Sequence, residues 1–364
     1  MLHTGLLLVD PRMFVNATVL ADFTLNAYWF WTSVKLLSVL VVIPVGGLLI
    51  GYVFLLKMMA HMQSRLGPMD PGGFHGWFQN IGDAVKFIQK EDIIPAKADK
   101  WVFSLAPYVV VMSTFMLYLV IPAGPDLVIS DLKVGIFYAL AVSSIGVLGI
   151  LMAGWASANK YSLMGSLRAA GQLIAYELPL VLAVIGVVIQ AGSMSLQDIV
   201  HAQQQFQIFG LNLAGMPFVA TQFVGFVIFM IAAQAELTQA PFDMPVAESE
   251  LVTGYMTEYS GFRFLSFFLG EVASAFALSA IAATLFLGGW YLPMPDAWVA
   301  NNLANVLGPG ILFAKVMFVA FLIFWFRFSY PRFREDQLQS IAWKYLIPIS
   351  LVNIMITAVL KVVF

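Results

Sequence analysis

Cysteine does not occur in this 364-residue sequence. The chain therefore cannot hold an iron–sulfur cluster through thiolates, forms no disulfide, and says nothing about redox compartment. Charge is also scarce, at 10% of residues, where a soluble domain carries about 25%. A net charge of −2 gives no support to a nucleic-acid partner. The four histidines, His3, His61, His75 and His201, show no metal-ligand spacing. The amino terminus has no basic, apolar, cleavable signal pattern, so the first hydrophobic stretch is expected to serve as the insertion signal. There is no fixed-period repeat, and no inverted pair of broken spans of the kind secondary transporters use.

Apolar residues fill the space that charge leaves. They make up 61% of the chain, and the mean hydropathy is +0.88. A soluble protein of this length could not hide so much apolar surface, so lipid must cover much of it. A span needs about 20 apolar residues. Eight stretches qualify, roughly 31–56, 102–121, 134–156, 171–190, 213–235, 263–287, 308–328 and 344–361. The expected fold is all-α: one polytopic membrane domain over 1–364, with an added amphipathic interfacial helix at 74–91.

The connecting loops alternate in charge. Loops after the first, third, fifth and seventh spans, with the span ends, hold 13 of the 18 Lys and Arg residues. The other side has Arg12, Lys133 and Lys361, plus Lys35 and Lys315 near the starts of spans, where snorkelling is the ordinary reading. The acids divide the same way, with Asp10, Asp22, Asp126, Asp131, Asp198 and Asp296 on the poorer side. The positive-inside rule puts the basic loops in the cytoplasm and both termini outside.

Chemistry-bearing residues concentrate on that basic side. In the first loop, Trp77, Phe78, Ile81, Val85 and Ile88 share one helical face, and Gln79, Asp83, Lys86 and Lys90 share the other. That pattern suits a helix lying at the membrane surface, and its polar face could also line a cavity roofed by another protein. Glu177 and Glu271 lie inside apolar spans, where a lone carboxylate must be neutral, paired or wetted. The loop after the fifth span holds Glu236, Asp243, Glu248, Glu250 and Glu258, with no base until Arg263. Clustered carboxylates of that kind suit a proton relay, and a solvated acidic loop is the plainer alternative. Were 247–259 helical, Glu248 and Glu250 would point nearly opposite ways. The last basic loop places Arg327, Arg332 and Arg334 within eight residues, a pattern for anionic lipid or for a partner's acidic surface.

At these loops the sequence resembles the quinone-site membrane subunit of respiratory complex I, the NADH dehydrogenase subunit 1 family. The matching segments are QSRLGP with DAVKFIQKED (63–68 and 83–92), GWASANKYSLMGSLRAAGQLIAYELP (154–179), APFDMPVAESELVTGYMTEYSG (240–261), and RFSYPRFREDQL with WKYLIP (327–348). The resemblance implies a subunit of a proton-translocating NADH:quinone oxidoreductase in the bacterial inner membrane, with no redox centre of its own. Quinone is then the substrate, and iron–sulfur clusters and FMN belong to partner subunits. Partners would be the hydrophilic-arm subunits, small membrane subunits, antiporter-like subunits and lipids. By motif position, Arg65, Asp83, Lys86, Phe268 and Arg327 would fall on the quinone chamber. Glu177, Glu236, Asp243, Glu248, Glu250, Glu258 and Glu271 would fall on the acidic path, and Arg332 and Arg334 on the docking face.

The departures from the family pattern come in opposite charges. Leu55-Leu56 stand where Glu-Arg is usual, Gln239 where Arg is usual, and Val246 where Glu is usual. Val272 replaces a Tyr. Joint loss avoids leaving an unpaired buried ion, which costs several kcal/mol. Two other classes compete: the membrane anchor of a related energy-converting hydrogenase, and a stand-alone ion or solute transporter.

Overall fold

Where water is excluded, a chain must satisfy every backbone N–H and C=O internally, and helices do so within one segment. The described residues of the computed structural model contain helices and no strand. They are 51–204, 216–291 and 301–363, with Phe30, 33–37, Val41, Gly46 and Leu49 of the first apolar stretch. We number the principal helices α1 (Gln79–Gln89), α2 (Lys100–Leu117), α3 (Gly135–Ala156), α4 (Lys160–Ala191) and α5 (Leu196–Gln204). They continue with α6 (Phe223–Glu236), α7 (Gly261–Phe286), α8 (Asn301–Ser329), α9 (Glu335–Ile341) and α10 (Ile347–Val363).

Among the described residues, six helical runs are long and apolar enough to cross a membrane: Lys100–Val120, Gly135–Ala156, Lys160–Ala191, Gly261–Phe286, Val306–Ser329 and Glu335–Val363. They account for six of the eight expected spans. The expected fifth span contains α6, whose 14 residues fall short of a full crossing. The expected first span, 31–56, lies partly outside the described residues, and His3, Asp10, Arg12, Asp22 and Asp296 lie outside them altogether.

Several boundaries differ from expectation for local reasons. Helix α4 starts at Lys160 rather than 171, because the Asn159 side chain caps it by accepting from the Tyr161 N–H at 2.8 Å. At 32 residues it is about 48 Å long, more than the roughly 30 Å hydrocarbon layer. It ends at Gly192, whose φ of +78° suits a helix C-terminus. The last helical run begins at Glu335 rather than 344 and passes through a π-helical stretch at Ala342–Leu346. Pro348 has no N–H to continue the ladder just beyond it. The interfacial helix is 79–89 rather than 74–91, since Gly72, Gly73 and Gly76 all have positive φ and break the first turns. Residues 247–259 do not form one helix. A single turn at Glu248–Leu251 and a short turn at Gly254–Met256 are separated by Val252, at φ +65°.

Helix α4 sits centrally, packed on α3, α6 and α10, while α7 packs on α2 and α8. The second half of α7 is rich in Ala and Ser and buried almost throughout, which lets neighbouring backbones approach closely. The helices alternate in direction, so loops gather at two ends. The end carrying 57–99, 157–159, 237–260 and 330–346 is here called the charged end. The end carrying 121–134, 192–204, 216–222 and 287–291 is called the plain end.

Candidate functional site

The site forms where α2, α3 and α7 meet the loop that follows α6. A cavity of about 70 Å³ lies there, lined by the carboxylates of Glu236 and Glu271 and by Ser113, Thr114, Ser143, Ser274 and Tyr255. The volume is enough for several waters, and the wall offers the polar partners that waters need. Thr114 and Ser274 hydroxyls are 2.9 Å apart across the α2–α7 contact. On α4, Glu177 accepts a hydrogen bond from the Ser144 hydroxyl of α3. The Glu177 charge lies within Coulombic reach of Glu236.

Glu271 is ten residues into α7 and is not alone. Arg327, at the charged end of α8, reaches it with Nη1 to Oε1 at 3.1 Å. Arg327 also lies 6.0 Å from the Phe328 ring centroid. Thus an arginine expected at the chamber and an acid expected on the proton path are in direct contact.

The loop 237–260 closes the cavity. Its aromatic residues wedge between α2, α3 and α7: Phe103 and Tyr259 stack at 4.0 Å, and Tyr255 and Tyr259 meet Phe267 edge-on. The Tyr259 hydroxyl donates to the Phe103 carbonyl at 3.1 Å. Burial pushes the Tyr255 phenol upward, and the nearby Glu271 charge adds to that, so Tyr255 remains a donor at the cavity wall. Burial also raises the Tyr259 phenol, and Arg263 partly opposes it. Two glycines permit this docking. A Cβ on Gly254 (φ +57°) would meet the Pro245 carbonyl oxygen at 1.7 Å, and one on Gly165 of α4 would meet the Tyr255 nitrogen at 2.7 Å.

The loop acids, which the sequence groups together, separate in space. Asp243 is gripped by Arg332, with two contacts of 2.9 Å. Arg332 also donates to Ser249 at 3.0 Å. Glu250 pairs with Arg168 of α4 at 2.7 Å. The Arg168 hydrogen bond, with its charge and that of Arg332, holds the Glu250 carboxyl below its usual range. Glu258 accepts from Asn159 Nδ2 at 2.5 Å. Glu248 is exposed. Of these acids only Glu236 lines the cavity, together with Glu271, and Glu177 lies beyond its wall.

The remaining expected site residues lie elsewhere on the charged end. Asp83 on α1 is held by Gln79 Nε2 at 3.1 Å to both carboxylate oxygens. Lys86 is exposed one turn further on, and Arg65 is exposed with its Nε on Gln63 at 2.8 Å. Phe268 is 40% exposed on α7. Arg334 is exposed and, among the described residues, paired only with the neighbouring Asp336, at 3.2 Å. Of the departures, Leu55, Leu56 and Val246 are half-buried, while Gln239 and Val272 are buried. Both amide atoms of Gln239 lack a hydrogen-bond partner among the described residues, although the residue is 1% exposed. Sequence reasoning missed Ser144, Arg168 and the cavity hydroxyls. Its one available signal was a recurrence of Ser and Thr pairs (113–114 and 143–144) inside otherwise apolar spans.

Residues 34–358 match the NADH dehydrogenase family. Among curated proteins, the chain is 46% identical over 312 residues to the H subunit of NADH-quinone oxidoreductase from Bacillus mycoides strain KBAB4. The same 46% holds for its counterpart in Bacillus thuringiensis subsp. konkukian strain 97-27, and 45% for that of Bacillus cereus strain B4264. Each alignment spans 85% of this chain and 87% of the relative.

Proposed function

From a chain that belongs to the NADH dehydrogenase family, alongside the H subunits of NADH-quinone oxidoreductase, we propose the following role. It is the membrane component that holds quinone beneath the hydrophilic arm and links quinone reduction to proton movement through buried carboxylates. As a subunit of such an oxidoreductase, it is a multi-pass protein of a bacterial membrane whose partners are the other subunits of complex I.

Arg65, Asp83, Lys86, Phe268 and Arg327 are assigned to the quinone side, and Glu177, Glu236 and Glu271 to the acid path. The contact between Arg327 and Glu271 carries this reading, because it joins the two sides at 3.1 Å. A carboxylate paired with a guanidinium is held as the anion, and one that loses the pair in a dry site takes up a proton. Movement of Arg327 as quinone charge changes would therefore switch the proton affinity of Glu271. The cavity hydroxyls and the water it has room for then offer a path toward Glu236 and Glu177. Asp243, Glu250 and Glu258 sit at the cytoplasmic rim under this reading, and exposed Glu248 faces the arm. Iron–sulfur and flavin chemistry is supplied by partners. Arg334, exposed and paired with its neighbour Asp336, is the docking arginine, while Arg332 is occupied with Asp243.

The relevant test is proton translocation and quinone reductase activity of the assembled complex bearing Glu177→Gln or Glu271→Gln. Each variant is expected to lower proton-coupled turnover about tenfold or more while subunit assembly is retained. Parental rates of pumping in both assembled variants would remove these residues from the path.

A further inference from the structure

A second, larger pocket lies at the charged end, away from the acid-lined cavity. Its volume is about 420 Å³, and Pro95, Lys97, Asn159, Lys160, Tyr161 and Glu258 line it. The loop before α2 and the turn between α3 and α4 form it together, tied by the Asp99 N–H to the Ala156 carbonyl at 3.1 Å. Lys97 and Lys160 are exposed and enter no ion pair among the described residues. The N-terminus of α4, with its positive dipole end, opens into the same space. The acid in the wall, Glu258, is engaged by Asn159. Two unpaired cations facing one concavity suit a phosphate group.

What surrounds the pocket identifies the source of that phosphate. Trp101 is 88% exposed and Trp155 is 75% exposed, at the start of α2 and the end of α3. Such aromatic side chains mark the headgroup level of a bilayer. Below each tryptophan an exposed apolar stripe runs along the helix toward the plain end. On α2 it continues through Leu105, Tyr108 and Met112, at spacings of four, three and four. On α3 it continues through Leu148 and Ile145, at spacings of seven and three. Two apolar tracks descend from one cationic pocket.

We propose that this pocket binds the phosphate of an anionic phospholipid, whose two acyl chains lie along the α2 and α3 stripes. Neither lysine belongs to the quinone or proton assignments, so the site stands or falls independently of them.

The test uses the intact complex in nanodiscs containing a photoactivatable phosphatidylglycerol, with a photoactivatable phosphatidylcholine as the control, and maps the labelled peptides by mass spectrometry. Phosphatidylglycerol is expected to label 95–101 and 155–161 in the parental complex. In Lys97→Gln/Lys160→Gln, that labelling should fall roughly tenfold, with subunit content and quinone reductase activity unchanged. Equal labelling by the two lipids, or labelling unaffected by the double substitution, would overturn the proposal. So would an absence of labelling at these peptides, which would mean that a partner subunit covers the pocket. Tens of millimolar inorganic phosphate should leave the labelling intact, and displacement by it would assign the pocket to a soluble anion instead.

Discussion

The two ends of the helix bundle use their cations in opposite ways. At the charged end, arginines pair with carboxylates: Arg168 with Glu250, Arg263 with Asp92, Arg327 with Glu271, and Arg332 with Asp243. At the same end Arg168 also lies 3.9 Å from Glu335, and Arg334 pairs with Asp336. At the plain end, lysines donate to main-chain carbonyls. Lys35 reaches Val128 at 3.0 Å, Lys361 reaches Gln190 at 2.9 Å, and Lys315 holds both Leu287 and Tyr291. The chemistry explains the division. A guanidinium fork matches a carboxylate, and an ammonium on a flexible stem suits the orphan carbonyls where a helix ends. A carbonyl cannot titrate, so these lysine contacts do not respond to protons. A carboxylate can, so the arginine pairs of the charged end do.

The largest expected effect comes from breaking the most enclosed of these pairs. Arg327→Met leaves the Glu271 carboxylate without its partner, and the loss of one member of a buried pair costs about 3 kcal/mol or more. Little assembled complex is expected on native gels. Arg327→Met/Glu271→Gln, which removes both charges, should recover assembly without recovering proton translocation. Failure of the double variant to assemble would mean that Arg327 acts through packing rather than through charge. Gln239 offers a related contrast. With both amide atoms already unpaired, Gln239→Met should be neutral or raise thermal stability by about 1 kcal/mol. Gln239→Arg, which places a charge at a 1% exposed position, should impair the assembled enzyme. Unchanged quinone reductase activity and pumping in Gln239→Arg would defeat the idea that opposite charges were lost together from this chain.

The contrast between ends is partly legible in the amino-acid sequence, and the parts that are not have physical reasons. Loop charge alternation separates the two ends, because Lys and Arg counts need no knowledge of packing. Glu177 and Glu271 stand out because a carboxylate in an apolar run is costly whatever surrounds it. Partners are not legible. Arg168 lies 82 residues from Glu250 in the chain, and Ser144 lies 33 from Glu177. Nothing local encodes such meetings. The loop acids form one group by sequence position, but Gly254 and Val252 fold the loop back and send them to separate partners. Lys35 and Lys315 look like snorkelling side chains, and a carbonyl acceptor leaves no trace in a sequence.

An intermediate effect is expected at the plain end. Lys315→Met would strip the donor from two carbonyls where α7 ends, at 2.6 Å to Leu287 and in direct contact with Tyr291. Leaving the Leu287 acceptor unpaired costs about 1–3 kcal/mol. Thermal stability of the complex should fall by the same amount at low and high salt, since no ion pair is involved. A salt-dependent loss would show that Lys315 pairs with a carboxylate instead, and the contrast between ends would weaken.

The smallest effect separates the ends by pH. Glu250 is half-exposed, and its pairing with Arg168 is screened, so Glu250→Gln should cost less than about 1 kcal/mol near neutrality. Its pH dependence is nonetheless distinctive. The Arg168 hydrogen bond lowers the folded-state pKa of Glu250 below that of the unfolded chain. The contribution is therefore complete above the ordinary carboxylate range and is lost as pH falls through the depressed folded value. Proteolysis of the 247–259 loop, followed in the nanodisc-embedded complex as pH is lowered from neutrality through the carboxylate range, should accelerate in the parental protein. The Glu250→Gln loop should be cleaved slightly faster at neutrality and change less with pH. The plain-end loop at 192–195 is held by hydroxyl contacts to Asp131 and Asp198, with no arginine pair among the described residues. It should therefore gain no arginine-dependent acid sensitivity. If acid loosens the 247–259 loop equally in Glu250→Gln and the parental protein, the Arg168 latch is not what holds that loop against α4.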